Sequence, residues 1–145
     1  MSTTLNDITI LLGGAKVLGH PLRTRDDLLA AVRRGFPYAA LERLMQVMGL
    51  TREEIETMVA LPARTLTRRK HAKHLQSAES DRVLRVARVA AHAVAALGSE
   101  EKAAQWLHRA NRGLGDRAPL TFLDTDLGTT QVDDILTRLE QGVIG

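Results

Sequence analysis

The stretch that decides the fold runs Thr51-Arg-Glu-Glu54-Ile-Glu-Thr-Met-Val-Ala60-Leu61-Pro62-Ala-Arg64-Thr-Leu66-Thr-Arg68-Arg-Lys70-His-Ala-Lys-His74. Thr51 and Glu54 have the spacing of a capping box, in which a hydroxyl and a carboxylate satisfy the first free N–H groups of a helix. They open a helix from Arg52 to about Ala60. Leu61-Pro62 breaks it, and Pro62, with fixed φ and no N–H, suits the start of a second helix, Ala63 to His74. Two short helices across a tight break predict a helix-turn-helix. On the wheel of the second helix Ala63, Leu66 and the stem of Lys70 share the inward side. Arg64, Arg68, His71 and Ala72 point away, flanked by Thr65, Thr67 and Arg69. Arg can read guanine bidentately and Thr can reach phosphate or base edges, so this face suits the major groove. Arg64, Thr65, Thr67, Arg68, Arg69, His71 and Lys73 are the candidate DNA-contacting residues. A solvated basic helix is the plainer alternative.

Upstream, Thr24 caps a helix from Asp26 to Arg34 that stops at Gly35-Phe36-Pro37. A further helix runs from Tyr38 to Met48, with Leu41, Leu44, Met45 and Met48 at helical spacing and Gly49 at its end. Residues 5–20 show no clear period and read as loop or short helix. Downstream, a long helix from Glu79 to Leu97 carries Arg82, Arg85, Arg88 and His92 within one third of its wheel, opposite an apolar side. That stripe reads as a second basic surface supporting a nucleic-acid partner. Ser99 caps a helix bearing Ala103, Trp106, Leu107 and Ala110 on one face. After the turn-rich residues 111–128, the last helix, Thr130 to about Gln141, presents Val132, Ile135, Leu136 and Leu139. The expectation is an all-α protein with no strand. Residues 1–98 form a helical bundle with the helix-turn-helix and a dimerisation helix, and 99–145 a small helical partner-binding module.

Composition narrows the classes. The 145 residues are 44% hydrophobic but only 3% aromatic, so Leu, Val, Ile and Ala must build the core, and these favour helices over a β-sandwich. There is no Cys, which excludes disulfides and thiolate metal sites. No apolar run approaches the roughly 20 residues of a membrane span and no signal-like start is present, so a cytoplasmic location is expected. Residues 51–98 hold nine Lys and Arg against five acids, and 99–145 five against eight. A basic middle and an acidic tail predict a nucleic-acid surface and a second surface for another partner. Gly14 to His20 has phosphate-loop spacing without the Lys-Ser/Thr that would touch phosphate. His71 and His74 lack a third metal ligand, and no nucleophile motif frames the Ser, His and Asp residues. No catalysis, metal or cofactor is expected.

Several blocks together resemble the Xre/MbcA/ParS family of antitoxins. They are Val32-Arg-Arg-Gly35-Phe-Pro37, Thr65 to Lys70, Leu75 to Arg85, Gly98 to Leu107, Pro119-Leu120, Leu123-Asp124-Thr125, and Gly128 onward through Val132, Leu136, Glu140 and Val143. The likeness covers about residues 26–145. Ala110-Asn111 stands where the family often has Pro-Asn, and Ile144-Gly145 where an aromatic often follows. The resemblance implies an antitoxin that dimerises, represses its own operon and covers the active-site entrance of a cognate RES-domain toxin. That toxin would be an ADP-ribosyltransferase-like enzyme that consumes NAD⁺ or modifies a protein. Trp106, Asp124, Val132, Ile135, Leu136, Leu139, Glu140, Gln141, Gly142, Val143, Ile144 and Gly145 are then the candidate toxin-binding residues, with the acidic end (Asp124, Asp126, Asp133, Asp134, Glu140 and the terminal carboxylate) expected to face cationic groups of a dinucleotide site. The rival expectation is a stand-alone helix-turn-helix repressor with no toxin partner, which the neighbouring gene would discriminate.

Overall fold

The computed structural model describes residues 3–142. Nine α-helices account for most of them: α1 (Leu5–Leu11), α2 (Gly14–Leu18), α3 (Arg25–Arg34), α4 (Tyr38–Met48), α5 (Arg52–Met58), α6 (Ala63–Ala72), α7 (Ser77–Leu97), α8 (Glu100–His108) and α9 (Asp126–Glu140). Two 3-10 turns, Arg112–Leu114 and Pro119–Phe122, bridge α8 to α9. No strand occurs among the described residues, where β-pairing is limited to isolated bridges. The protein is all-α, as the composition demanded.

Local chemistry sets the helix starts. Thr4, Thr24 and Thr51 each accept the N–H of the third helical residue, and the Asp or Glu at that position returns to the cap. Ser99 takes the Lys102 N–H at 3.1 Å and Thr125 that of Gly128 at 3.0 Å. Each such cap contributes about 1 kcal/mol. Residues 5–18, read from sequence as loop or short helix, are two helices, and the Thr4–Asp7 box is the overlooked start signal. Likewise α9 begins at Asp126 rather than Thr130, because Thr125 caps it.

Five helices pack around α7. Its 21 residues bury Val83, Val86, Ala87, Val89, Ala90, Ala91 and Ala93, on more than one face. The small alanines let α1, α3, α4, α8 and α9 all lie against it. A single apolar cluster therefore runs from Ile8 through Leu41, Leu66 and Val86 to Leu107 and Leu136. The expected division at residue 98 falls at the C-cap of α7, and the two segments share this core. Three of the four residues of the expected basic stripe are engaged within the chain. Arg82 donates to the Val59 carbonyl at 3.0 Å, and Arg85 to the Leu123 carbonyl and to Asp126, both at 3.1 Å. His92 lies between Asp133 and Glu140. Arg88 stays exposed, while α9 engages Arg85 and His92 and the end of α5 engages Arg82, which a single-helix wheel does not reveal.

A buried corner orients α6. The Phe36 N–H donates to the Ser80 hydroxyl at 2.7 Å, the Leu75 N–H to the Phe36 carbonyl at 2.8 Å, and the Tyr38 N–H to the Lys73 carbonyl at 3.1 Å. Gly35 sits at φ 89°, and a Cβ there would run into the Leu75 carbonyl oxygen. Gly35→Ala combines a strained backbone with a backbone clash, so a loss of at least about 3 kcal/mol is expected. Ala60, exposed in the turn between α5 and α6, also has positive φ, 52°. Ala60→Gly removes strain and no contact, and should stabilise by up to about 1 kcal/mol. Thermal melts of the two variants check both signs; a less stable Ala60→Gly protein would refute the strain assignment.

Candidate nucleic-acid and partner surfaces

The segment from α5 to α6 makes the helix-turn-helix. Met58, Val59 and Leu61 are buried at the turn, and Leu66 is the one buried residue of α6. Ala63 and Lys70, expected on the inward side, are exposed instead. Arg52 braces the pair by donating to the Ala63 carbonyl at 3.1 Å and to the Thr67 hydroxyl at 2.6 Å. Its role was not apparent from sequence, since residues 52 and 67 meet only once the turn is made. Arg64, Arg68, His71 and Lys73 are exposed and Thr65 is half-buried, with the Arg68 guanidinium reaching the Thr65 hydroxyl at 3.4 Å. These side chains, with Lys70, form the free face of α6.

Arg69 departs from the expected set. Its guanidinium makes a two-pronged pair with Glu79, Nε to Oε1 at 2.8 Å and Nη2 to Oε2 at 2.8 Å. Glu79, only 5% exposed, also accepts the Gln76 N–H at 2.8 Å. Burial pushes the Glu79 carboxyl up, but Arg69, the Gln76 N–H and the charge of Arg82 outweigh it and hold the group below the usual carboxylate range. Arg69 is therefore a strut that fixes α6 on α7, not an open donor to DNA. Thr67, holding Arg52, is exposed but likewise occupied.

The C-terminal candidates split in the same way. Val132, Ile135 and Leu136 are 0%, 2% and 0% exposed, packed into the chain's own core. As an apolar stripe offered to a partner they are corrected: the stripe faces α7, because the core needs a cover there. Leu139 and Trp106 are half-buried against the same core. Glu140 holds the His92 Nε2 at 2.7 Å. Asp124, Gln141 and Gly142 are exposed, and Val143, Ile144 and Gly145 lie outside the described residues. Leu127, 76% exposed at the start of α9, was missed because it falls off the apolar spacing of the stripe. Elsewhere, a groove of about 750 Å³ opens between α1, α3, α7 and α9, walled by Leu5, Ile8, Leu28, Leu29 and Leu84. No cluster of three metal-ligating side chains and no helix long and apolar enough to cross a membrane occurs among the described residues.

A helix-turn-helix whose second helix is fixed to α7 by an ion pair, with an exposed basic outer face, defines a protein of the DNA-binding helix-turn-helix class, joined over one core to a second helical segment. Residues 27–88 match the antitoxin Xre-like helix-turn-helix domain, and residues 91–142 the antitoxin Xre/MbcA/ParS C-terminal toxin-binding domain. Among curated relatives, an Antitoxin Xre of Yersinia enterocolitica is 32% identical over 128 residues, 87% of this chain and 86% of that protein. An Antitoxin Xre of Photorhabdus laumondii is 31% identical over 131 residues, 89% and 88% of the two chains. One from Pseudomonas putida is 34% identical over 117 residues, 80% of this chain and 72% of its own length. The chain belongs to the Xre/MbcA/ParS family of antitoxins.

His92 is a further determinant of how the C-terminal helix sits. The hydrogen bond from its Nδ1 side to Asp133, at 3.0 Å, raises its pKa most; burial opposes this, and Glu140 adds to the rise. A folded pKa above the unfolded value of 6.5 means the clamp's stabilisation is complete below about that pH. It is lost as pH rises through the folded value. Urea denaturation at a series of pH values should show stability falling more steeply in the native protein than in His92→Gln as pH rises above 6.5. Parallel profiles would show that the clamp does not depend on the proton.

Proposed function

We propose that the protein is the antitoxin of a type II pair that neutralises a cognate RES-domain, NAD⁺-consuming toxin in the cytoplasm and represses its own operon as a homodimer. The observation that carries this is the presence, in one chain and over one core, of the matched helix-turn-helix and the matched toxin-binding domain. In this reading Arg64 and Arg68 enter the major groove from α6, with Thr65, His71 and Lys73 beside them. Thr67 and Arg69 hold the helix at its angle. Half-sites about one or two DNA turns apart suit a two-fold protein, and the apolar groove beside Leu29, 45% exposed, supports self-association.

The toxin-facing surface is then what α8 and α9 leave outside: the edge of Trp106, Leu127, Asp124, Gln141 and Gly142, followed by residues 143–145. The last residues thread toward the toxin's entrance while the rest of α9 stays in the core. Truncation at Thr130 would remove Val132, Ile135 and Leu136 from that core and unfold the protein, so it says nothing about partner contact.

Expected outcomes follow for each surface. Arg64→Ala and Arg68→Ala should each weaken binding to promoter DNA by about 1–3 kcal/mol for a base contact, with thermal stability unchanged. Wild-type affinity in both, measured by gel shift, would remove α6 as the reading helix. Deleting Gly142–Gly145, or replacing Leu127→Asp, should leave DNA binding intact and weaken inhibition at least tenfold. The assay is NAD⁺ consumption by the co-expressed product of the adjacent open reading frame. Unimpaired inhibition by both variants would move the neutralising surface elsewhere, and failure of that product to co-purify would leave a repressor without a toxin. Sedimentation at micromolar concentration should give a dimer, and a monomer with and without DNA would exclude it.

A further inference from the structure

Besides the free face of α6, three nitrogen-bearing side chains line one small cavity without a partner within the chain. His20, after α2, Arg34, in the last turn of α3, and His74, just past α6, line a cavity of about 180 Å³ whose apolar wall includes Leu18, Ala31 and Phe36. No Asp or Glu lines it. Among the described residues, none of the three side chains has a hydrogen-bond or ion-pair partner. His74 is fixed by its bridge to Pro37 and by its N–H to the Arg69 carbonyl at 3.2 Å. Its ring packs over Gly35, where an added Cβ would come within 3.0 Å of Cε1.

Two imidazoles and a guanidinium around a hollow with no carboxylate make a donor set for an anion. The carboxyl ends of α3 and α6 contribute about half a negative charge each. Arg33, Arg34, Lys70 and Lys73 at those same ends outnumber them. Exposed Lys70 and Lys73 lie on α6 and its C-cap, next in the chain to His74 at the cavity's rim.

We propose that this cavity seats a backbone phosphate of the DNA flanking the groove that α6 enters. This rests on the DNA-binding role of α6 and adds a contact outside the helix-turn-helix itself. Arg34 supplies the charge, and His20 and His74 donate to the remaining phosphate oxygens. Such a contact adds affinity and register without base preference.

The test measures binding of the full-length protein to a fluorescent duplex of its own promoter at several salt concentrations, by anisotropy. Arg34→Ala should weaken binding about five- to twentyfold near 150 mM salt and lower the slope of log K against log salt by about one. His20→Gln and His74→Gln should each have smaller effects in the same direction. Combined with Arg64→Ala, the loss should add, because the two sites are separate. Loss of affinity in Arg64→Ala alone, with wild-type affinity and slope in Arg34→Ala and in the variant combining it with His20→Gln and His74→Gln, overturns the cavity and leaves the α6 assignment standing. No duplex binding by the native protein overturns both. Inorganic phosphate that saturates the native protein in calorimetry, with the DNA slope unchanged in Arg34→Ala, would make the cavity a free-anion site and refute the proposal. A lower melting temperature in Arg34→Ala with an unchanged slope would reduce it to a helix-end charge.

Discussion

The start of α7 holds the structure together through two adjacent polar residues in the interior. Ser80 is fully buried and Glu79 nearly so, yet each is satisfied: Ser80 receives the Phe36 N–H and donates to the Gln76 carbonyl, and Glu79 takes Arg69 and the Gln76 N–H. Leaving such groups unpaired would cost about 1–3 kcal/mol apiece, more for the charge. The geometry that satisfies them here puts the α3–α4 corner, the end of α6 and the first turn of α7 in one place. The direction of α6 is thus set by buried polar chemistry, and its outer face remains free. Gly35 is part of the same constraint, since no side chain fits between the two backbones there.

The second constraint is electrostatic and runs along α7 and α9. Arg85 meets Asp126, and His92 meets Asp133 and Glu140. Both the bases and the acids recur at seven-residue intervals, so two helices running side by side bring them into register. The basic middle and acidic tail of the chain are in good part complementary to each other. A contact at 3.3 Å between His108 of α8 and Glu54, the capping carboxylate of α5, ties the C-terminal segment to the helix-turn-helix as well. The two matched domains are therefore parts of one packed body, and a load placed on α9 bears directly on α7.

The sequence was legible where chemistry is local. Capping boxes, the Pro62 break and the Gly ends of helices depend on residues three or four apart, and they placed α3 through α8 to within a few positions. It was less legible where partners are distant. Arg69 read as a DNA contact because Glu79, ten residues on, lies in the next helix. The stripe of Arg82, Arg85 and His92 read as surface because its covers, Val59, Asp126 and Glu140, are 23 to 48 residues away. The seven-residue spacing of Asp126, Asp133 and Glu140 was the available signal, and it points inward only once α7 is known to be the neighbour. Apolar periodicity shows that a face is buried; it does not say against what.

That last distinction governs the C-terminal helix. An apolar side chain already removed from water by its own fold gains nothing further from a partner, so Val132, Ile135 and Leu136 stabilise the protein whether or not another protein is bound. Hydrophobic gain on association must come from surface still wet in the free protein. On α9 that is chiefly Leu127, at one end of a helix whose other end leads into Gln141 and Gly142. Between those ends, the core and the His92 clamp fix α9 against α7. A rigid helix held along its length presents its two ends at a fixed separation, which lowers the entropy lost when a partner engages them. In the proposed role the helix is core through its inner face, and its two ends are left to meet the partner.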